Sequence, residues 1–229
     1  MTADSTEEQK KLSGYLMLAE QAVQSKNKQE AIGFYNKALE IDPTNHMAWF
    51  GKAAASGWST TMGNVRLLEM FKGLTNAIKF APDEKKDDLR IEAVSVITDV
   101  VTATFNTAYG IYKDDPANSR KLVWPVFEET LRTLDAAHEI NPKSIKLIER
   151  ILVFTNNLGP VFGASDGQKA YMKQLESKYE PLIKKLDPNY KTPTSGCFVV
   201  TATLGNENNV FVADLRLLRD SVLSRYEAG

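Results

Sequence analysis

The chain has 229 residues, 43% apolar and 25% charged, enough to bury a core without covalent staples. Its 28 Lys and Arg stand against 29 Asp and Glu, a net charge of -1 that excludes a global pull toward nucleic acid or an anionic membrane. One cysteine excludes an intrachain disulfide, and only two histidines accompany it, so neither a structural zinc site nor any other metal or cofactor is expected.

The first residues, MTADSTEEQKK, are polar and hold no apolar run, so no signal peptide is expected and residues 1–11 read as a flexible N-terminus. Helical periodicity predicts helices at 6–25, 28–41, 45–57, 64–80, 84–113, 119–140, 144–157 and 167–187. In the fifth, Leu89, Ile91, Val94, Ile97, Val100, Val101 and Phe105 make a stripe broad enough to be buried on two sides. The stretch Ala93 to Tyr112 is the best membrane candidate, but Asp99, Asn106 and its threonines are costly in hydrocarbon, so it reads as a buried helix. Asp114-Asp115-Pro116 ends this helix, and Asn118 or Ser119 is expected to cap the next. Gly159-Pro160 through Gly167 reads as a loop, with Ser165 or Asp166 capping the helix after it.

Four stretches along this path are alike: Ala38-Leu-Glu-Ile-Asp-Pro-Thr, Ala77-Ile-Lys-Phe-Ala-Pro-Asp, Ala137-His-Glu-Ile-Asn-Pro-Lys and Ile183-Lys-Lys-Leu-Asp-Pro-Asn. Each is the end of an amphipathic helix stopped by Pro43, Pro82, Pro142 or Pro188, because proline cannot continue a helix and drives the residue before it to extended geometry. In the first unit Ala19, Ala22, Ala31, Tyr35 and Ala38 fall at helical offsets. Small residues there let two antiparallel helices approach, and Ser25-Lys-Asn-Lys is the turn between them.

Residues 12–45 resemble a tetratricopeptide repeat, with Tyr15, Leu18, Ala19, Ala31, Tyr35, Ala38 and Pro43 in the family's positions and Ala22 where an aromatic is usual. A second unit starts near His46, with Trp49, Ala53, Ala77 and Pro82 in matching roles and extra length in the Ser59–Asn64 loop. The units ending at Pro142 and Pro188 keep the terminal pattern with longer spacings, so irregular helical pairs are expected there. The resemblance implies that the first helix of each pair lines a concave groove. The implied groove residues are Ser13, Leu16, Glu20, Val23 and Gln24 in the first unit and Met47, Phe50, Ala54, Gly57 and Trp58 in the second. This set is largely apolar and lacks the basic and Asn residues with which such domains clamp a peptide carboxylate, so another protein or an apolar peptide segment is the expected partner.

Asn189 to Gly196 (NYKTPTSG) reads as a linker. Beyond it CFVVTATLG precedes an amphipathic run with Val212, Leu215, Leu218 and Val222 on one stripe. The β-branched residues of CFVVTATL favour a strand, yet no second strand is on offer, and a short buried helix is the expectation. Cys197, Phe198, Thr201, Ala202, Gly205, Leu215, Arg216, Arg219 and Asp220 resemble the CFI-box C-terminal domain, with Val200 where Ala and Leu204 where Tyr is usual. That box is often appended to other prokaryotic domains, and no established activity comes with it.

The expected protein is therefore all-α: a tetratricopeptide-like antiparallel helical-hairpin solenoid over 12–188, with a small helical hairpin over 197–229 that caps it or serves as a recognition element. No P-loop, GxGxxG, HExxH or GxSxG is present, and the expected role is that of a non-catalytic cytoplasmic adaptor for protein–protein contacts, without nucleic acid or membrane. Two alternatives stay open. Cys197 is either a buried small hydrophobe or a functional thiol that is processed, conjugated or reactive, for which Arg216, Arg219 or a histidine, His46 or His138, would have to fold near it. The grooves could also self-associate in a structural homo-oligomer.

Overall fold

The computed structural model describes residues 3–161 and 164–191, with side chains described for 6–156 and 164–191. The described residues are all-helical: α1 (Ala3–Gln24), α2 (Lys28–Ile41), α3 (His46–Trp58), α4 (Leu67–Phe80), α5 (Asp83–Asp114), α6 (Pro116–Ala137), α7 (Ile145–Val161) and α8 (Asp166–Leu186). Neighbouring helices pack in pairs, as a helical-hairpin repeat arrangement requires. The box 197–229, with Cys197 and its arginines, and residues 192–196 of the linker lie outside the described residues. Packing divides the described residues into two compact units, one up to Ile148 and one from Glu149 onward.

In the first unit α1 packs on α2, α2 on α3, α3 on α4, and α5 on both α4 and α6. Alanines make the close seams: Ala19, Ala31, Ala38, Ala48 and Ala77 are fully buried. Larger side chains fill the space between turns, among them Leu67, Met70, Leu74, Ile97 and Phe105. Phe127 meets Phe105 at 5.1 Å between ring centroids and Trp124 edge-on at 5.9 Å, tying α5 to α6. In the second unit Ile151, Leu152 and Phe154 of α7 and Met172, Leu175, Tyr179 and Ile183 of α8 are buried.

The helix-ending prolines share one local structure. At each, the N–H of the residue before proline donates into the helix just finished: Asp42 to Ala38 O at 2.9 Å, Ala81 to Ala77 O at 3.0 Å, Asn141 to Ala137 O at 3.4 Å and Asp187 to Ile183 O at 2.7 Å. Where that residue is Asp or Asn its carboxylate or amide oxygen then accepts the N–H two residues on, from Thr44 at 3.0 Å, Lys143 at 3.3 Å and Asn189 at 3.0 Å. Its main-chain oxygen accepts the next N–H as well, from Asn45, Ser144 and Tyr190. This Asx turn closes the helix and aims the chain back. At Ala81 no such side chain exists, and α5 starts directly at Asp83, with Pro82 O accepting Lys85 N–H at 2.9 Å.

Helix α5 explains how a long, threonine-rich segment is buried. The hydroxyls of Thr98, Thr102 and Thr104 donate to Val94 O, Thr98 O and Val100 O at 2.9, 2.6 and 2.9 Å. Each polar group is thereby satisfied inside its own helix. No described helix is long and apolar enough to cross a membrane.

Four boundaries differ from the sequence expectation. Helix α1 reaches back to Ala3, through the stretch expected to be flexible, and a Glu7–Lys11 pair at 3.0 Å supports its second turn. Helix α4 starts at Leu67 rather than 64, because Thr61 and Asn64 exchange backbone hydrogen bonds at 3.1 Å in a tight turn. Helix α6 is capped by Asp115, which accepts from Asn118 N–H at 3.2 Å, so Pro116 takes the first helical position, where its missing N–H costs nothing. Helix α7 runs on through Gly159 and Pro160 to Val161, since a proline in the last turn forfeits a single ladder bond. Ser165 caps α8 in a reciprocal capping box with Gln168.

Candidate functional site

The turns that join α1 to α2 and α2 to α3 are short, so α2 runs antiparallel to its neighbours and α1 and α3 run in the same sense. Helix α5 takes that sense again after α4. The three same-sense helices, with one side chain from α2, enclose a groove of about 320 Å³. Leu16 and Glu20 come from α1, Tyr35 from α2, His46, Met47, Phe50 and Gly51 from α3, and Lys85, Leu89 and Glu92 from α5. All of these residues belong to the first unit.

The floor is built by Gly51 and Tyr35. The Tyr35 ring lies directly over the α3 backbone at Gly51, where any Cβ would collide with its ring and hydroxyl. Burial pushes the Tyr35 hydroxyl above the ordinary tyrosine range, and the Glu20 carboxylate adds to the shift. The phenol is therefore a neutral, fixed surface at physiological pH. Leu16, Phe50 and Leu89 are half-buried around it, and Met47 is 52% exposed at the mouth.

The charges of the groove are ordered along it. On α5 Lys85 comes first, Leu89 a turn later and Glu92 a turn after that, on one stripe. On α3 His46 precedes Met47 and Phe50, and on α1 Leu16 precedes Glu20. Because the helices share a sense, one end of the groove carries Lys85 and His46, the middle is apolar, and the other end carries Glu20 and Glu92. The opposite face of α5 holds its own ion pairs, Lys86 with Asp83 at 2.7 Å and Arg90 with Asp87 at 2.5 Å.

Of the sequence-expected groove residues, the structure thus brings together Leu16, Glu20, Met47 and Phe50. Val23 and Gln24 are exposed at the end of α1, outside the cavity lining. Trp58 and Gly57 line a separate hollow of about 110 Å³ between the end of α3 and the threonine-bearing side of α5. The Trp58 carbonyl accepts Lys28 Nζ, and Trp58 stays 38% exposed. Sequence reasoning missed Tyr35, His46, Gly51 and the three α5 residues. Tyr35 is 7% exposed and still lines the groove. The α5 residues Lys85, Leu89 and Glu92 share one helical stripe in the sequence, an apolar residue between opposite charges, but that spacing alone does not say which helix the stripe meets.

Among the described residues no group of three or more His, Cys, Asp or Glu is placed to hold a metal ion. Cys197, Phe198, Thr201, Gly205, Arg216, Arg219 and Asp220 lie outside the described residues. Compared with protein-family models and with curated proteins, the chain finds no match in either.

Proposed function

We propose that this chain is a non-catalytic adaptor of the tetratricopeptide-like kind, which binds an apolar peptide segment of another protein in the groove between α1, α3 and α5. The observation that carries the reading is the groove itself: an apolar middle of Leu16, Met47, Phe50 and Leu89 over a neutral Tyr35 floor, formed by same-sense helices. Small residues at the helix seams, Asx-Pro helix ends and paired helices support the tetratricopeptide likeness. Burying one large apolar side chain there contributes about 1.5–3 kcal/mol, enough to make a short segment a ligand when polar contacts add to it.

The test places a photo-crosslinking amino acid at Met47, exposed at the groove mouth, in the full chain. Irradiation in a native extract should yield a discrete crosslinked protein, and Phe50→Glu should abolish it while far-UV circular dichroism stays unchanged. Crosslinking that survives Phe50→Glu in the folded protein would refute the groove as the binding site.

A further inference from the structure

We infer that the groove reads the order of charges in its ligand: it takes an amphipathic peptide helix with an acidic residue facing Lys85, apolar residues over Phe50 and Leu89, and a basic residue facing Glu20 and Glu92. The inference rests on the proposed reading that the groove binds a peptide. It adds the chemistry of that peptide and the direction in which it lies.

Three observations carry it. Lys85 and Glu92 stand seven residues apart on one face of α5, about 10 Å along the axis. Two turns of a ligand helix lying along α5 cover the same span, so an acid and a base seven residues apart reach both ends at once. Lys85, Glu92 and Glu20 have no ion-pair partner among the described residues, although neighbouring charges on α5 are paired off on the opposite face. The groove therefore presents one unpaired cation and two unpaired carboxylates on either side of an apolar middle. A ligand of complementary order neutralises all three, and one of reversed order sets like charges against each other. A peptide helix with its acid N-terminal to its base also agrees with its own macrodipole, so it is preorganised before binding, and it then runs in the sense of α5.

The experiment uses the full chain and a fluorescein-labelled, alanine-based peptide with Glu at one position, Leu three and four residues later and Lys seven residues later. A companion peptide carries Gln in place of both charges. In fluorescence anisotropy the charged peptide should bind about fivefold more tightly than the companion at roughly 20 mM salt, since two exposed ion pairs contribute about 0.5 kcal/mol each. The difference should collapse at about 500 mM salt. In the double variant Glu20→Gln, Glu92→Gln, both at exposed positions, the preference should fall to about twofold, the pair with Lys85 remaining. Phe50→Ala should weaken both.

Equal affinity of the wild-type chain for the two peptides would sink the charge-order inference and leave the groove reading standing, provided Phe50→Ala still weakens binding. A charge preference unchanged by the double variant would place the recognition elsewhere and overturn the inference. If neither peptide binds, both the inference and the groove reading fail. If the chain self-associates in sedimentation velocity and the double variant is monomeric, the occupant is a second copy and the inference is likewise overturned.

Discussion

Lys26 is the non-glycine residue with positive φ among the described residues, at 59°. It ends α1 in a Schellman motif: its N–H donates to Val23 O at 2.9 Å, and the next N–H, from Asn27, donates to Ala22 O at 2.8 Å. Side chains with a Cβ are disfavoured in this left-handed region, and glycine is not. Lys26→Gly should raise stability by about 0.5–1 kcal/mol, read as a higher urea midpoint at unchanged m-value. The opposite case is Gly51. A methyl group there has no room beneath Tyr35, so Gly51→Ala should cost about 1–3 kcal/mol as the ring or the helix gives way. It should also disturb the groove floor and weaken peptide binding. Gly33, with nothing near the place a Cβ would take, is the control: Gly33→Ala should be neutral or stabilising, as expected for a helix interior. Similar losses in the two alanine variants would show that the Tyr35 contact is not what demands glycine.

At the scale of elements the Asp/Asn-Pro turns do most to shape the first unit. Asp42 accepts Thr44 Oγ1–H at 2.7 Å and Thr44 N–H at 3.0 Å, and Asn45 beside it caps α3 by accepting from Ala48 N–H at 3.0 Å. Asp42→Ala should cost about 1 kcal/mol by denaturant unfolding, comparable to the loss of a helix cap. Asp42→Asn should retain most of that, because the amide oxygen serves as it does at Asn141. These helix ends were legible in the sequence because proline and its neighbours act locally, and so was the all-α class, since apolar periodicity needs no tertiary information. Helix starts were less legible: Asp115, Asn118 and Ser119 are all competent caps, and the rigid φ of Pro116 decides among them. The groove was half legible. Leu16, Glu20, Met47 and Phe50 follow from repeat position, whereas Lys85, Leu89 and Glu92 depend on α5 docking beside α3, a long-range contact that no local pattern reports. Trp58 shows the limit in the other direction. It continues the α3 stripe, but the helix ends there and the indole faces a different hollow.

Across the whole molecule the two units should answer acid in opposite ways. In the first unit the Thr44 hydroxyl beside Asp42 holds that carboxyl below its ordinary value of 3.8. The Arg66 guanidinium, bonded to Glu69 at 2.9 Å, with Ser56 assisting, holds Glu69 below 4.5. A carboxyl whose folded pKa is depressed contributes stability above its unfolded pKa and loses it as pH falls through the folded value. In the second unit burial pushes Glu149 and Glu176 above 4.5, with Glu180 adding to the effect at Glu176. There the folded state binds the proton more tightly than the unfolded chain. Stability of that unit rises as pH falls from the raised folded value toward 4.5, and the gain is complete below it. Hydrogen exchange by mass spectrometry, corrected for the intrinsic rate, separates the two. Between about pH 7 and about pH 4.5 protection in α8 should hold or increase, and on going further to about pH 3 protection around residues 42–48 and 56–69 should fall while α8 keeps its gain. Glu69→Gln should remove the acid sensitivity of the 56–69 region, and Glu176→Gln should make α8 protection flatter with pH. A parallel loss of protection in both regions would show that the carboxylates do not titrate in the opposed senses their surroundings impose.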